Sequence, residues 1–341
     1  MNIRFPSLSL PMLETDAGKL KQRILRPLDK GEFLGLALAG GITLAFTWQH
    51  AHHVYPFHYD LGNYLKTAQG DFSAYFYAYW FLPVFNLLAR WPFPLAFVFW
   101  NFLNIAGVFF ATRVFGGKVL WTLTSYQMLY TLFQGNIAGI LAGALALMWF
   151  SMVNNRWLWS GLFLLVACTK YQIGVPFGLL LLWYVPGEWR QKARALIPPV
   201  AITLVSLLMW GFWPWKVLNT IQNHPPDMQG NITLWSWFGV FALAFWLPPL
   251  FGKFSASHRL TMLLGAIFLG QPYLQQSDLI VLFPFLPNFL PLLGNAGYLL
   301  AALRFDLLRF MAFLPLTLYL WTWFRASGFP LSAREGKGTT S

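Results

Sequence analysis

The stretch HHVYPFHYDLGNY, residues 52–64, sets His52, His53, His58 and Asp60 among Tyr55, Tyr59 and Tyr64, directly after the first long apolar run. A carboxylate in a partly desolvated place has its pKa raised and is able to act as a general base. Two plainer uses stand beside that one: a solvated loop residue, or the N-cap of a helix through Leu61 to Ala68. His50, His52, His53 and His58 with Asp60 also raise a metal site. Their spacing matches no standard ligand motif, and the adjacent His52 and His53 cannot easily share one ion. No metal or other cofactor is therefore expected, and hydrogen bonding to phosphate or sugar is the preferred use of these imidazoles.

Further polar groups stand at the ends of apolar runs. In LFQGNIAGILAGALALMW (132–149), Gln134 and Asn136 are placed to meet a polar ligand. Gly135, Gly139 and Gly143 read instead as a close helix–helix contact through small residues. In ACTKYQIGVPF (167–177), Lys170 interrupts nearly continuous apolar sequence. It either snorkels to the interface or meets an anionic headgroup. QPYLQQSDLIVLFPFLP (271–287) carries Tyr273, Gln275, Gln276 and Asp278, and NHPPDMQGNITLWSW (223–237) carries His224 and Asp227. The sequon Asn231-Ile232-Thr233 is a common chance match and carries no weight.

The elements that must position these groups follow from composition. The 341 residues are 57% hydrophobic, 19% aromatic and only 10% charged, with a mean hydropathy of +0.53. A soluble surface needs more charge, and the repeated apolar runs have the length of roughly 20 residues that a bilayer core demands. An all-α, polytopic membrane bundle is expected, with about eleven spans in a range of nine to twelve. They are read near 32–50, 94–113, 118–133, 137–152, 157–171, 172–186, 195–212, 234–251, 259–273, 279–300 and 307–324. The Pro83-interrupted stretch 75–91 reads as an interfacial helix. One domain, 32–324, follows a basic N-terminal arm, 1–31, and precedes a polar tail, 325–341; residues 51–93 form a long first outer loop. The single cysteine, Cys168, excludes an intrachain disulfide and a cysteine-based metal site.

The net charge of +12 is distributed as an orientation signal. With a cytoplasmic N-terminus, the inner side takes Lys19, Lys21, Arg23, Arg26, Lys30, Arg113, Lys118, Arg156, Arg190, Lys192, Arg194, Lys253, Arg259, Arg304 and Arg309. Nucleic-acid binding is therefore not expected. Asp60, Asp71, Asp227, Asp278 and the histidines from 50 to 58, with His224, fall on the outer side together with Arg90 and Lys170. Chemistry is expected at the extracytoplasmic face of a cell inner (plasma) membrane.

The Asp60 segment, the Gly70–Tyr75 region and Phe81-Leu82-Pro83 resemble the first outer loop of the GT-C superfamily of membrane glycosyltransferases. More narrowly, the chain is similar to glycosyltransferase family 87, the polyprenyl-phosphate-mannose-dependent mannosyltransferases. Gln134-Gly135-Asn136 resembles that family's GQ-x-N-like element with glycine and glutamine exchanged in order. Lys170 through Pro176 resembles its K-x-x-P-like element with a longer spacing, and the stretch 272–282 resembles a late outer loop. The resemblance spans roughly residues 32–300. It implies a catalytic aspartate at Asp60, with Asp71 in reserve. It also implies a polyprenyl-phosphate sugar donor, mannose by default, and an extracytoplasmic lipid or glycan acceptor.

The residue types fit that chemistry on their own terms. A lipid-phosphate leaving group departs without a general acid, while the acceptor hydroxyl loses its proton as it attacks. Asp60 would serve as base, with His58, Tyr64, Arg90, Gln134, Asn136, Lys170, His224, Tyr273 and Asp278 binding donor or acceptor. Two rivals are a transporter or flippase of lipid-linked or small solutes, and a non-catalytic subunit of an envelope-synthesis complex. The first predicts ionisable groups near the bilayer midplane; the second predicts that replacement of Asp60 is tolerated.

Overall fold

A computed structural model describes residues 13–52, 60–73, 75–223, 231–286 and 290–327. Among these residues the regular structure is helical, apart from one isolated antiparallel bridge, Asn231 to Gln275. The helices are α1 (Ala17–Leu25), α2 (Lys30–Ala51), α3 (Asp60–Lys66), α4 (Leu82–Leu88), α5 (Phe93–Phe115) and α6 (Val119–Leu123). Next come α7 (Tyr126–Gln134), α8 (Ala138–Val153), α9 (Trp157–Ala167), α10 (Tyr171–Tyr184), α11 (Trp189–Trp210) and α12 (Trp213–Asn223). The last six are α13 (Trp235–Phe238), α14 (Leu247–Phe251), α15 (Ala256–Gly270), α16 (Leu290–Leu293), α17 (Ala296–Leu303) and α18 (Phe313–Ala326). Among the described residues five helical stretches are, by length and composition, long and apolar enough to cross a membrane, or six when the bent pair α7–α8 counts as one span, the five including the folded-back stretch Trp157–Tyr184. Side chains such as Leu208, Phe251 and Trp183 stand 80% exposed or more, as expected where lipid replaces water.

The expected count of about eleven spans is not reached by this measure, because several apolar runs are broken. The stretch Trp157–Tyr184 folds back on itself at the 3-10 turn Cys168–Lys170. A Cβ on Gly174 would collide with the Ala167 carbonyl, and Gly187 lies against Trp157, so α9 and α10 run antiparallel. The run read as one helix over 279–300 is two pieces. Gln276–Val281 and Phe283–Phe285 form 3-10 turns that descend from Asp278 until Phe285 stacks on Phe115. The chain then climbs beside α7 as α17, with Tyr298 against Tyr126 and Phe305 against Tyr130. Pro284 and Pro291 lack the N–H that a continuous helix needs.

That path places Arg304 and Arg309 at the end of the bundle that holds Asp60. With Asp306 and Trp237 they line a hollow shared with Asn231, and Asn231 is paired with Gln275, three residues from Asp278. The expectation that both arginines lie on the opposite side is corrected. Counting charges does not see that the polypeptide between Asp278 and Arg304 goes down and returns. The other end of the bundle carries Arg113, Arg156, Arg190 and Arg259 and is called the basic end below.

The N-terminal arm closes the basic end. Asp29 caps α2 by accepting from Glu32 N at 2.8 Å, while the Glu32 carboxylate accepts from Asp29 N at 3.1 Å. Buried Arg113 donates to both Glu32 oxygens, at 3.2 and 2.7 Å, and to the carbonyls of Ile24, Arg26 and Pro27. Arg23 reaches the Val114 carbonyl at 3.2 Å, and Trp149 donates to the Glu14 carbonyl at 3.0 Å. Arg113 is thus a structural clamp as well as an orientation charge.

Candidate active site

The site is built on a broken helix. α7 and α8 meet at 110°, and Gly135 makes the corner with φ +63, a conformation that a side chain would strain. A Cβ at Gly135 would also lie 2.8 Å from Leu61 Cβ, so α3 sits directly on the corner. The freed backbone groups find partners on α5. Trp100 Nε1 donates to Gly135 O at 2.8 Å, Asn101 Nδ2 to Leu132 O at 2.8 Å, and Ile140 N to Asn104 Oδ1 at 3.1 Å. Gly107 faces Gly139 and Gly143 so closely that any Cβ there would strike backbone. The small residues therefore serve the helix contact expected of them, and the contact brings the amides of α5 to the break.

Asn136, in the break, uses both ends of its amide. Oδ1 accepts from Ala138 N at 2.9 Å and opens α8, while Nδ2 donates to Asp60 Oδ2 at 2.6 Å. Asp60 begins α3. A strip of the residue reaches solvent, but its carboxyl is enclosed tightly enough that burial pushes its pKa above the ordinary value. The Asn136 bond and the Lys170 charge oppose that rise, and the Asp278 charge adds to it. Tyr64, one turn along α3 from Asp60, is buried and shares a hydrogen bond of 2.8 Å with Tyr77. Burial and the Asp60 charge hold both phenols protonated.

Lys170 and Asp278 arrive from other elements. Lys170 Nζ meets Asp278 Oδ1 at 2.6 Å, across 108 residues of sequence, with both side chains buried. Asp278 Oδ2 accepts from Gln275 N at 2.9 Å, which fixes its rotamer. Tyr77 lies 6.0 Å from the ammonium, and Ala78 N donates to Thr169 O at 3.1 Å, tying the first loop to the lysine turn. Beside the pair, Thr169 Oγ1, Gln276 Oε1 and Ser277 Oγ are buried with no hydrogen-bond partner among the described residues. Lys170 itself has two further N–H groups beyond the one given to Asp278.

The expected site residues divide accordingly. Asp60, Tyr64, Asn136, Lys170 and Asp278 come together, and Tyr273 is close enough for its phenol to act on Tyr77. Tyr273 also accepts from Gln275 Nε2 at 2.8 Å. Gln134 is turned to Tyr130. Asp71 is exposed and caps its own turn, accepting from Ser73 N at 3.0 Å and Ser73 Oγ at 2.7 Å. Arg90 is exposed just beyond α4 and joins none of these groups. His58 and His224 lie outside the described residues, as do His53 and Asp227. His50 packs between the rings of Phe97 and Phe93, and His52 stacks on Trp48. Among the described residues no three His, Cys, Asp or Glu side chains gather as metal ligands. Tyr77 and the α5 amides were not anticipated; the aromatic run YFYAYW and the two asparagines inside an apolar helix were the available signals.

Behind the pair, Asn231 is buried and its amide makes three hydrogen bonds. Oδ1 accepts from Thr233 N and Leu274 N, and Nδ2 donates to Pro272 O at 3.0 Å. Asn231 thereby holds the 270s segment that ends in Asp278.

Among the described residues, fold and site together define a helical protein with five or six stretches long and apolar enough to cross a membrane and a buried salt bridge at one end. The chain matches no protein-family model, no curated protein and no solved structure.

Proposed function

We propose that the chain is an integral membrane glycosyltransferase that moves a sugar from a polyprenyl-phosphate donor, mannose by default, to a lipid or glycan acceptor at the extracytoplasmic face. The observation that carries the reading is the meeting of an enclosed carboxylate of raised pKa, Asp60, with a buried ammonium, Lys170, at the mouth of an apolar bundle. Asp60 takes the proton from the acceptor hydroxyl as that oxygen attacks the anomeric carbon. The bond from that carbon to the phosphate oxygen breaks, and polyprenyl phosphate leaves with the electron pair. Lys170 offers its free N–H groups to the phosphate, where charge builds in the transition state. Asp278 holds the lysine in place, and Asn136 orients the base. No metal is called for.

The test is sugar transfer from polyprenyl-phosphate donors by the purified chain, wild type beside Asp60→Asn. Transfer by the wild type and its loss in the variant, with fold and donor binding intact, supports the reading; equal activity in both removes Asp60 from its role. A second reading, transport of a lipid-linked or small solute, is favoured by one feature, the helix broken at Gly135 with a polar residue in the gap, as in many transporters. Solute flux across proteoliposomes without any sugar transfer would put that reading first.

A further inference from the structure

A groove of about 880 Å³ runs along the side of the bundle between α10 and α15. Its walls are Val175, Leu179 and Trp183 on one side and Leu263 and Ile267 on the other, with Trp246 across them. It opens sideways, since Trp183 is 80% and Leu179 50% exposed. Its two ends differ. One end, at Gln172 and Gln271, adjoins the Lys170 turn; the other, at Tyr184 and Arg259, lies at the basic end of the bundle. From Arg259 to Gln271 the backbone of α15 rises about 18 Å, close to half of a bilayer core of about 30 Å.

Arg259 is half-buried and has no carboxylate partner among the described residues. One of its Nη2 hydrogens goes to the Gly252 carbonyl at 3.2 Å, while Nε has no partner among the described residues. The Tyr184 hydroxyl is likewise buried without one, and it lies close enough to feel the Arg259 charge. A half-buried guanidinium at the rim of a lipid-facing slot requires an anion. We infer that this groove binds one anionic glycerophospholipid from the leaflet at the basic end. Its phosphate lies at Arg259 and Tyr184, and an acyl chain lies along α10 and α15. A polyprenyl phosphate held at Lys170 would set its charge at the opposite end and leave Arg259 unanswered, so charge complementarity selects the phospholipid. The inference needs only that the chain is embedded in a bilayer and is independent of the sugar-transfer reading.

The measurement is native mass spectrometry of the full chain in detergent, titrated with phosphatidylglycerol or phosphatidylcholine of matched chains. One phosphatidylglycerol is expected to bind roughly tenfold more tightly than phosphatidylcholine, the worth of a charge-assisted hydrogen bond. Arg259→Gln abolishes that preference, and Arg259→Lys restores part of it, which separates loss of the charge from misfolding. Leu263→Trp fills the groove and removes the tight site with Arg259 intact. An equal affinity for both lipids, or a preference that survives Arg259→Gln or Leu263→Trp, overturns the inference. So does one-for-one displacement of the phosphatidylglycerol by polyprenyl phosphate whose own binding ignores Arg259, since the groove would then belong to the isoprenoid.

Discussion

Two buried ionic clusters sit at opposite ends of this bundle and are finished differently. At the basic end, all five N–H groups of Arg113 have acceptors: both Glu32 oxygens and the carbonyls of Ile24, Arg26 and Pro27. Glu32 in turn holds Arg26 at 2.7 Å and the cap of α2. At the Asp60 end, among the described residues, Lys170 has one acceptor, Asp60 has one donor, and three buried polar atoms nearby have no partner. Saturation is what a clamp needs, because any orphan group costs about 1–3 kcal/mol of desolvation. Orphans that persist mark a place where something else is meant to bind. The contrast therefore distinguishes the two clusters without reference to any relative.

The contrast can be broken by substitution, and the largest effect is expected at the base. Asp60→Asn should lower sugar transfer by roughly 10²- to 10⁴-fold and leave the thermal unfolding midpoint unchanged; a variant that unfolds early would make Asp60 part of the scaffold. Arg113→Met should do the reverse. It removes the buried partner of Glu32 and leaves only the more exposed Arg26, at a cost of up to about 3–5 kcal/mol, visible in unfolding, while the folded fraction turns over normally. Lys170→Met strands Asp278 and should destabilise by a similar amount, whereas Lys170→Met with Asp278→Leu should recover the stability and not the donor binding. Recovery of both would show that the pair is only a second clamp.

A pH profile sharpens the comparison further. In the proposed reaction Asp60 must be ionised, and its pKa is raised, so activity should fall with acid through a limb above the ordinary 3.8. The Asn136 bond lowers that pKa, so Asn136→Leu should move the limb to still higher pH; no movement would mean the limb belongs to another group. The smallest effect is expected at Arg90→Ala. The residue is exposed and apart from the cluster, so stability should stay within about 0.5 kcal/mol and the KM for donor should not change.

Much of the Asp60 end was legible because a polar residue at the end of an apolar run stands out. Asp60, Asn136, Lys170 and Asp278 were visible that way, and so was the turn between α9 and α10. The break at Gly135 was read as the boundary between spans at 118–133 and 137–152, but its 110° corner was not, and the 3-10 descent after Asp278 hides inside apolar sequence. Arg304 and Arg309 were misplaced for the same reason: each hydrophobic run was taken as one crossing. Tyr77 was lost among neighbouring aromatics, whose roles depend on which hydroxyl faces the lysine turn. Asn101 donates to, and Asn104 accepts from, the backbone of another helix, and nothing local to α5 announces that partner.

The buried Asn231 has a bearing on how the protein should be produced. It stands in an Asn-Ile-Thr sequon, and its amide nitrogen is the atom a glycan would take. In a host that glycosylates membrane proteins during synthesis, modification before folding would replace one of the two Nδ2 hydrogens, crowd the bond to Pro272 O and force a sugar tree against the core. The 270s segment would then lose its anchor and Asp278 its seat beneath Lys170. Material from such a host would carry an inactive, heavier population formed at the ribosome, and Asn231→Gln would not rescue it, since the longer side chain cannot keep all three contacts. A bacterial host avoids that maturation error altogether.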